Sequence, residues 1–213
     1  MLKRACGGAL ALLIGFSASA RAQQTAAPEK NVLDRGGIDL GAHVGFALAF
    51  GAVTQGVSFG TVLSGAFPIG VDLAVRGSKG FAFGVGFEQA PAITRNDCYA
   101  GFSCGSATDY RFRFEAIFTR RAGFVLDPWL GLGIGYEWLD LPASGRELYT
   151  RSGSIQLTGW DYAIVEAGGE LRLGGAFALG PFVGFSLGEY STSTENSPPH
   201  AWVQLGLRGT VNL

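Results

Sequence analysis

Along most of the chain, large apolar residues recur at every second position, and the positions between them are small or polar. The segment GIDLGAHVGFALAF sets the pattern. Ile38, Leu40, Ala42, Val44, Phe46, Leu48 and Phe50 alternate with Asp39, Gly41, His43, Gly45, Ala47 and Ala49. A period of two places successive side chains on opposite faces of a strand. Seven further segments repeat it, over 67–75, 81–87, 110–118, 130–138, 163–171, 177–187 and 203–213. The spacing predicts eight strands.

Which face turns inward decides the class. One face carries Phe, Leu, Ile or Val at nearly every step, and the other is mostly Gly and Ala with scattered Asp, Glu and Arg. A soluble barrel buries its bulky face and shows charge to water. Exposed strand glycine weakens a sheet without helping solubility, so the small face suits the tight interior of a narrow barrel while the bulky face meets lipid. The segments fit the roughly 9–11 residues that a transmembrane strand needs. In hydrocarbon, only a closed barrel satisfies the backbone groups of every strand. The expected fold is all-β: an eight-stranded antiparallel transmembrane up-and-down β-barrel over residues 37–213.

Connection lengths and aromatic positions point the same way. Counted from a periplasmic start, the odd connections fall at about 51–66, 91–108, 140–158 and 191–199. The even ones, near 77–80, 121–127 and 174–176, are shorter. Long loops on one side and short turns on the other follow the bacterial outer-membrane plan. Phe81, Trp129 and Phe177 are expected in a periplasmic aromatic belt, and Tyr136, Trp138, Trp160 and Trp202 in an outer one.

Composition narrows the class further. Charged residues make up only 15% of the chain, against roughly 25% in soluble domains. The 34 glycines are about twice the usual share and lie inside apolar segments rather than in linkers. A formal net charge of −1 without a basic run argues against nucleic acid as a partner. Lys3 and Arg4 precede a short apolar stretch over 9–16 and an Ala20-Arg21-Ala22 site, the plan of a signal peptide over 1–22 cleaved after Ala22. Its removal leaves 13 basic against 17 acidic residues, so the mature chain stands at −4. Residues 23–36 are expected to be a flexible polar leader. Cys98 and Cys104 remain, six apart in the loop sequence NDCYAGFSCGS. In an exported chain they are expected to form one local disulfide. A metal site there is the weaker alternative, because no His or further Cys is nearby.

The segments 127–138 (DPWLGLGIGYEW) and 180–188 (GPFVGFSLG), with the final strand through Leu213, resemble the small eight-stranded outer-membrane barrels of Gram-negative bacteria. The likeness is to the OmpA/OmpX/OmpW-like group, and in particular to a set found in myxobacteria. It covers about residues 37–213 and rests on strand patterning, so it implies architecture rather than activity. The resemblance implies residence in the outer membrane, contact with lipid and lipopolysaccharide, a monomer, and assembly by the barrel-assembly machinery through the C-terminal strand. Such chains usually end in Phe, whereas this one ends in Leu213; the intact alternation before it is expected to suffice.

The same group includes lipid A deacylases and palmitoyltransferases, which use Ser and His with an acid because a nucleophilic hydroxyl needs an adjacent base. The mature chain has two histidines. His43 falls on the inner face of the first strand, expected near Arg208 of the last. His200 falls at the mouth of the eighth strand, after Pro198-Pro199. No His-x-Ser pattern surrounds either, so no enzyme is expected, and no metal constellation or cofactor motif is found. By parity, Asp72, Glu88, Arg111, Arg113, Glu115, Glu137, Glu166, Glu170, Arg172 and Arg208 face the lumen. Interior charges are costly unless paired, so a mixed charge network closing the lumen is expected, with an ion-conducting path as the alternative. The leading functional class is a structural or surface-interaction protein acting through its extracellular loops. The alternative is an OmpW-like narrow conduit for small or apolar molecules, with the segment SFGTVLSGAFP folded over its mouth; a lipid-modifying enzyme comes third.

Overall fold

Wherever the alternation runs unbroken it forms strand. The structure, a computed structural model, describes residues 36–54, 56–77, 80–95, 102–104, 106–120, 126–145, 153–173, 176–191 and 198–213. Eight staves form one antiparallel ring among these residues. They are β1 (Gly37–Thr54), β3 (Leu63–Ala66) continued by β4 (Ile69–Arg76), β5 (Phe81–Thr94), β7 (Ala107–Thr119), β8 (Leu126–Gly145), β9 (Gly153–Arg172), β10 (Phe177–Ser191) and β11 (Pro199–Asn212). Two short strands, β2 (Val57–Ser58) and β6 (Phe102–Cys104), and one helical turn, α1 (Phe59–Val62), decorate one end. Pairing of β1 with β11, from Asp39↔Asn212 to Gly51↔His200, closes the ring. At Phe67-Pro68 the second stave is interrupted, as a residue without an N–H requires. The ladder continues across the break, because Gly45 N–H donates to the Pro68 carbonyl at 2.9 Å and Phe67 N–H to that of Pro91 at 2.9 Å.

The bulky face points out. Val75, Phe83 and Leu205 are 65%, 68% and 62% exposed, and they stand in a continuous apolar surface with Val71, Leu132, Ile134 and Val183. A surface of that size and chemistry calls for lipid rather than water. The small and charged face fills the interior.

Several expectations need correction. The staves overrun the ends expected of them: β8 pairs with β9 up to Ala143↔Gly153, so most of the expected loop 140–158 is a two-stranded ribbon. Within the expected connection 51–66, β1 extends to Thr54, and β2, α1 and β3 then turn back over the barrel end. Trp129 and Trp202 leave the aromatic belts, since both are buried in the lumen. The alternation of their own strands already assigned them inward. Phe81, Phe177, Tyr136 and Trp160 do face outward. The expected signal peptide, nearly all of the leader, and Cys98 lie outside the described residues.

Candidate functional site: the charged lumen

The lumen is built in three tiers, and each charged residue reaches it because its strand's period turns that position inward. At the end of the barrel that bears the chain's last strand residues, Arg76 of β4 pairs with Asp39 of β1, and Asn212 Nδ2 donates to the same carboxylate at 2.9 Å. Arg172 Nε donates to Asp127 Oδ2 at 2.6 Å, and the Thr210 hydroxyl to Glu170 at 2.7 Å. Glu170 and Arg172 are only half-buried, so they line this mouth rather than the interior. Arg208 lies over the Trp129 ring at 4.6 Å, a cation–π contact.

In the middle tier, register sets His43 across from Gly70 on one side and Arg208 on the other. Its ring reaches past both neighbours. Nε2 lies 2.9 Å from Glu88 Oε2 and Nδ1 3.3 Å from Asp72 Oδ2. Glycine at position 70 permits this, because a Cβ there would collide with the His43 ring. Arg113 of β7 donates to Glu166 of β9 at 2.6 Å and to Asp72 of β4 at 2.7 Å, tying opposite walls together. Glu115 stands 3.9 Å from the same guanidinium, Arg208 stands 3.8 Å from Asp72, and Gln204 donates to Glu88 at 3.2 Å.

The outer tier centres on Glu137 and Arg111, both buried. They sit directly across the β7–β8 pair, yet at 3.6 Å theirs is a loose contact. Glu137 instead accepts from the Tyr190 hydroxyl and from Trp202 Nε1 at 3.1 Å, and His200 Nε2 lies 2.8 Å away. Arg111 turns to Asp161 at 2.7 Å, Asp109 at 3.2 Å and Glu88 at 3.3 Å. Above this tier Phe59 of α1 is fully buried, its ring 5.4 Å from Trp202 and 5.7 Å from His200, with Leu139, Leu141 and Tyr190 in the same apolar cluster.

Three of these residues were missed in the sequence. Asp109 and Tyr190 have inward parity but lie just past the strand ends read from the alternation. Asp161 is hidden by a bulge. Between Gly133↔Ile164 and Gly135↔Asp161 the β9 strand carries one extra residue, which reverses its alternation so that Ile164 and Glu166 point in on even numbers and Asp161 on an odd one. His200 stands at the start of β11, where it was expected, and it is buried there, stacked on Tyr190 at 4.2 Å. Its partners Glu137 and Asp161 come from other strands, and ligand atoms of all three lie within 4.8 Å of one another, a grouping that no spacing along the chain foretells.

No protein-family model matches the chain, and no curated protein does. Solved structures do match. Neisserial surface protein A superposes with a TM-score of 0.57 at 14% identity, over 84% of this chain and 99% of that one. The fold is that of the small outer-membrane β-barrels. A major outer membrane protein from Thermus thermophilus matches this barrel at a TM-score of 0.53 and 10% identity, over 84% of this chain and 100% of that one. OprG from Pseudomonas aeruginosa matches at 0.51 and 13%, over 86% and 100%. At these identities the likeness is one of architecture.

Proposed function

We propose that this chain is an integral outer-membrane protein with a sealed lumen, which acts through the surface of its outer ribbons. The observation that carries the reading is the filling of the barrel: ion pairs bridge opposite walls, and the Phe59 plug covers the outer tier. A cavity beside Arg111 and Arg113 measures only about 10 Å³, and one at the Asp39–Arg172 mouth about 30 Å³. These are sizes for single waters, not for a solute. Eight strands leave an interior just wide enough for side chains, and here side chains occupy it.

The exposed apolar wall suits a lipid and lipopolysaccharide environment. The β8–β9 ribbon, at 20 residues per strand, is about twice what a bilayer crossing needs, so its far end stands clear of the membrane as an interaction surface. Export by the signal peptide, folding by the barrel-assembly machinery through β11 and a monomeric state complete the proposal. A local disulfide between Cys98 and Cys104 would brace the same end. A narrow conduit is the second reading, favoured by a mouth closed by a single helical turn rather than by strand. Planar-bilayer recording of the refolded mature protein separates the two. The sealed barrel gives no stable conductance steps, whereas reproducible steps that widen in Phe59→Ala would establish the conduit.

A further inference from the structure

The outer tier holds more carboxyl groups than its own cationic side chains can pair. Among the described residues, Asp109, Glu137 and Asp161 surround one guanidinium, that of Arg111, with His200 beside them. All five are buried, and Glu137 and Asp161 are fully so. Counting the middle tier as well, seven buried carboxyl groups face three arginines and two histidines, so even with both imidazoles protonated two of them need a proton or an added cation to balance their charge. Buried charge of one sign, without a counter-charge, is among the costliest arrangements a protein can hold.

Unused ligand capacity sits at the same place. Neither carboxylate oxygen of Asp161 has a hydrogen-bond partner among the described residues, although Oδ2 lies 2.7 Å from Arg111 Nε as an ion pair. His200 Nε2 stands 2.8 Å from Glu137 Oε2 and 3.9 Å from Asp161 Oδ1. Ligand atoms around a tetrahedral Zn²⁺ are separated by about 3.3 Å, given bond lengths near 2.0–2.1 Å. The two distances bracket that spacing. Glycine at position 188 keeps the gap open, since a Cβ there would stand 2.6 Å from Asp161 Oδ1 and 3.1 Å from His200 Nε2.

We propose that Glu137, Asp161 and His200 form a binding site for a divalent transition-metal cation of the Zn²⁺ type, enclosed beneath the Phe59 plug. One imidazole and two carboxylates form a donor set suited to such an ion. Two positive charges added to Arg111, with His200 neutral as a ligand, balance Asp109, Glu137 and Asp161. The ion is a structural tie: it joins β8, β9 and β11 at the outer end, where the staves leave the membrane. Occupancy is gained during folding or when β2, α1 and β3 lift, because Phe59 otherwise closes the route.

The test uses the mature protein refolded in detergent micelles, with folding verified by the electrophoretic mobility of unheated samples. Zn²⁺ is the probe, presented after chelator treatment at low micromolar free concentration. A Cys98→Ser, Cys104→Ser variant removes thiol binding as a confounder. The expected result is about one tightly held Zn²⁺ per folded barrel in both proteins. Binding should be weaker by at least about tenfold in Asp161→Asn and in His200→Gln, judged against the 10–100-fold cost of losing even an outer-sphere partner. A barrel that holds no Zn²⁺, or that keeps it undiminished in either ligand variant, would overturn the proposal. Should those variants fail to fold, X-ray absorption of the Zn²⁺-loaded Cys-free protein decides. A nitrogen and oxygen shell with imidazole scattering supports the site, and a shell without imidazole refutes it.

Discussion

Replacing Arg113 with Met removes the charge that ties three walls of the barrel while keeping a side chain of similar length. Arg113 is buried and donates to Glu166 at 2.6 Å and Asp72 at 2.7 Å. Its loss strands Glu166, whose ion pair is to this guanidinium, and leaves Asp72 to His43 at 3.3 Å and Arg208 at 3.8 Å. Breaking a buried pair by removing one partner costs about 3–5 kcal/mol, most of it from the charge left behind. Arg113→Met is expected in that range. Glu166→Leu should cost less, about 1–3 kcal/mol, because Arg113 keeps Asp72. In the double variant the stranded carboxylate is gone, so the combined loss should fall short of the sum by about 1–3 kcal/mol. Urea titrations in lipid vesicles, with the folded fraction read from unheated gels, measure all four corners of the cycle. A coupling energy within about 0.5 kcal/mol of zero would refute the reasoning.

The parallel cycle for Arg111→Met and Glu137→Leu should give a smaller coupling than Arg113 with Glu166. The contact is 3.6 Å, and Arg111 prefers Asp161; an equal or larger coupling would mean that strand register, not side-chain contact, sets the energy. Leu132→Arg, on the lipid-facing wall, should destabilise the vesicle-inserted barrel by about 2–4 kcal/mol at the bilayer midplane and much less in a loose detergent micelle, and equal losses in both would argue against lipid contact there. Thiol labelling of the unfolded, unreduced mature protein should find no free thiol if Cys98 and Cys104 are joined; two reactive thiols would exclude the bond.

The alternation by itself determined which residues face lipid and which face the lumen, because a strand's period of two leaves no third option. It placed Asp72, Glu88, Arg111, Arg113, Glu137 and Arg208 inside, and it held the inward assignment of Trp129 and Trp202 that the belt expectation overrode. Three matters were decided by tertiary structure. The bulge in β9 reversed the parity and so hid Asp161; in the sequence it shows only as the unbroken apolar run from Tyr162 to Val165, which does not say on which side the alternation shifts. Partner choice within the lumen depended on which strands stand opposite once the ring closes, so Glu137 meets Tyr190, His200 and Trp202 from β10 and β11 rather than chiefly its hairpin neighbour. The seat of the Phe59 plug came last: SFGTVLSGAFP was expected over the mouth, but four residues of helix are too short to show a period, and only the apolar cluster at the barrel's end, with Leu139, Tyr190 and Trp202, gives that turn a place to fold.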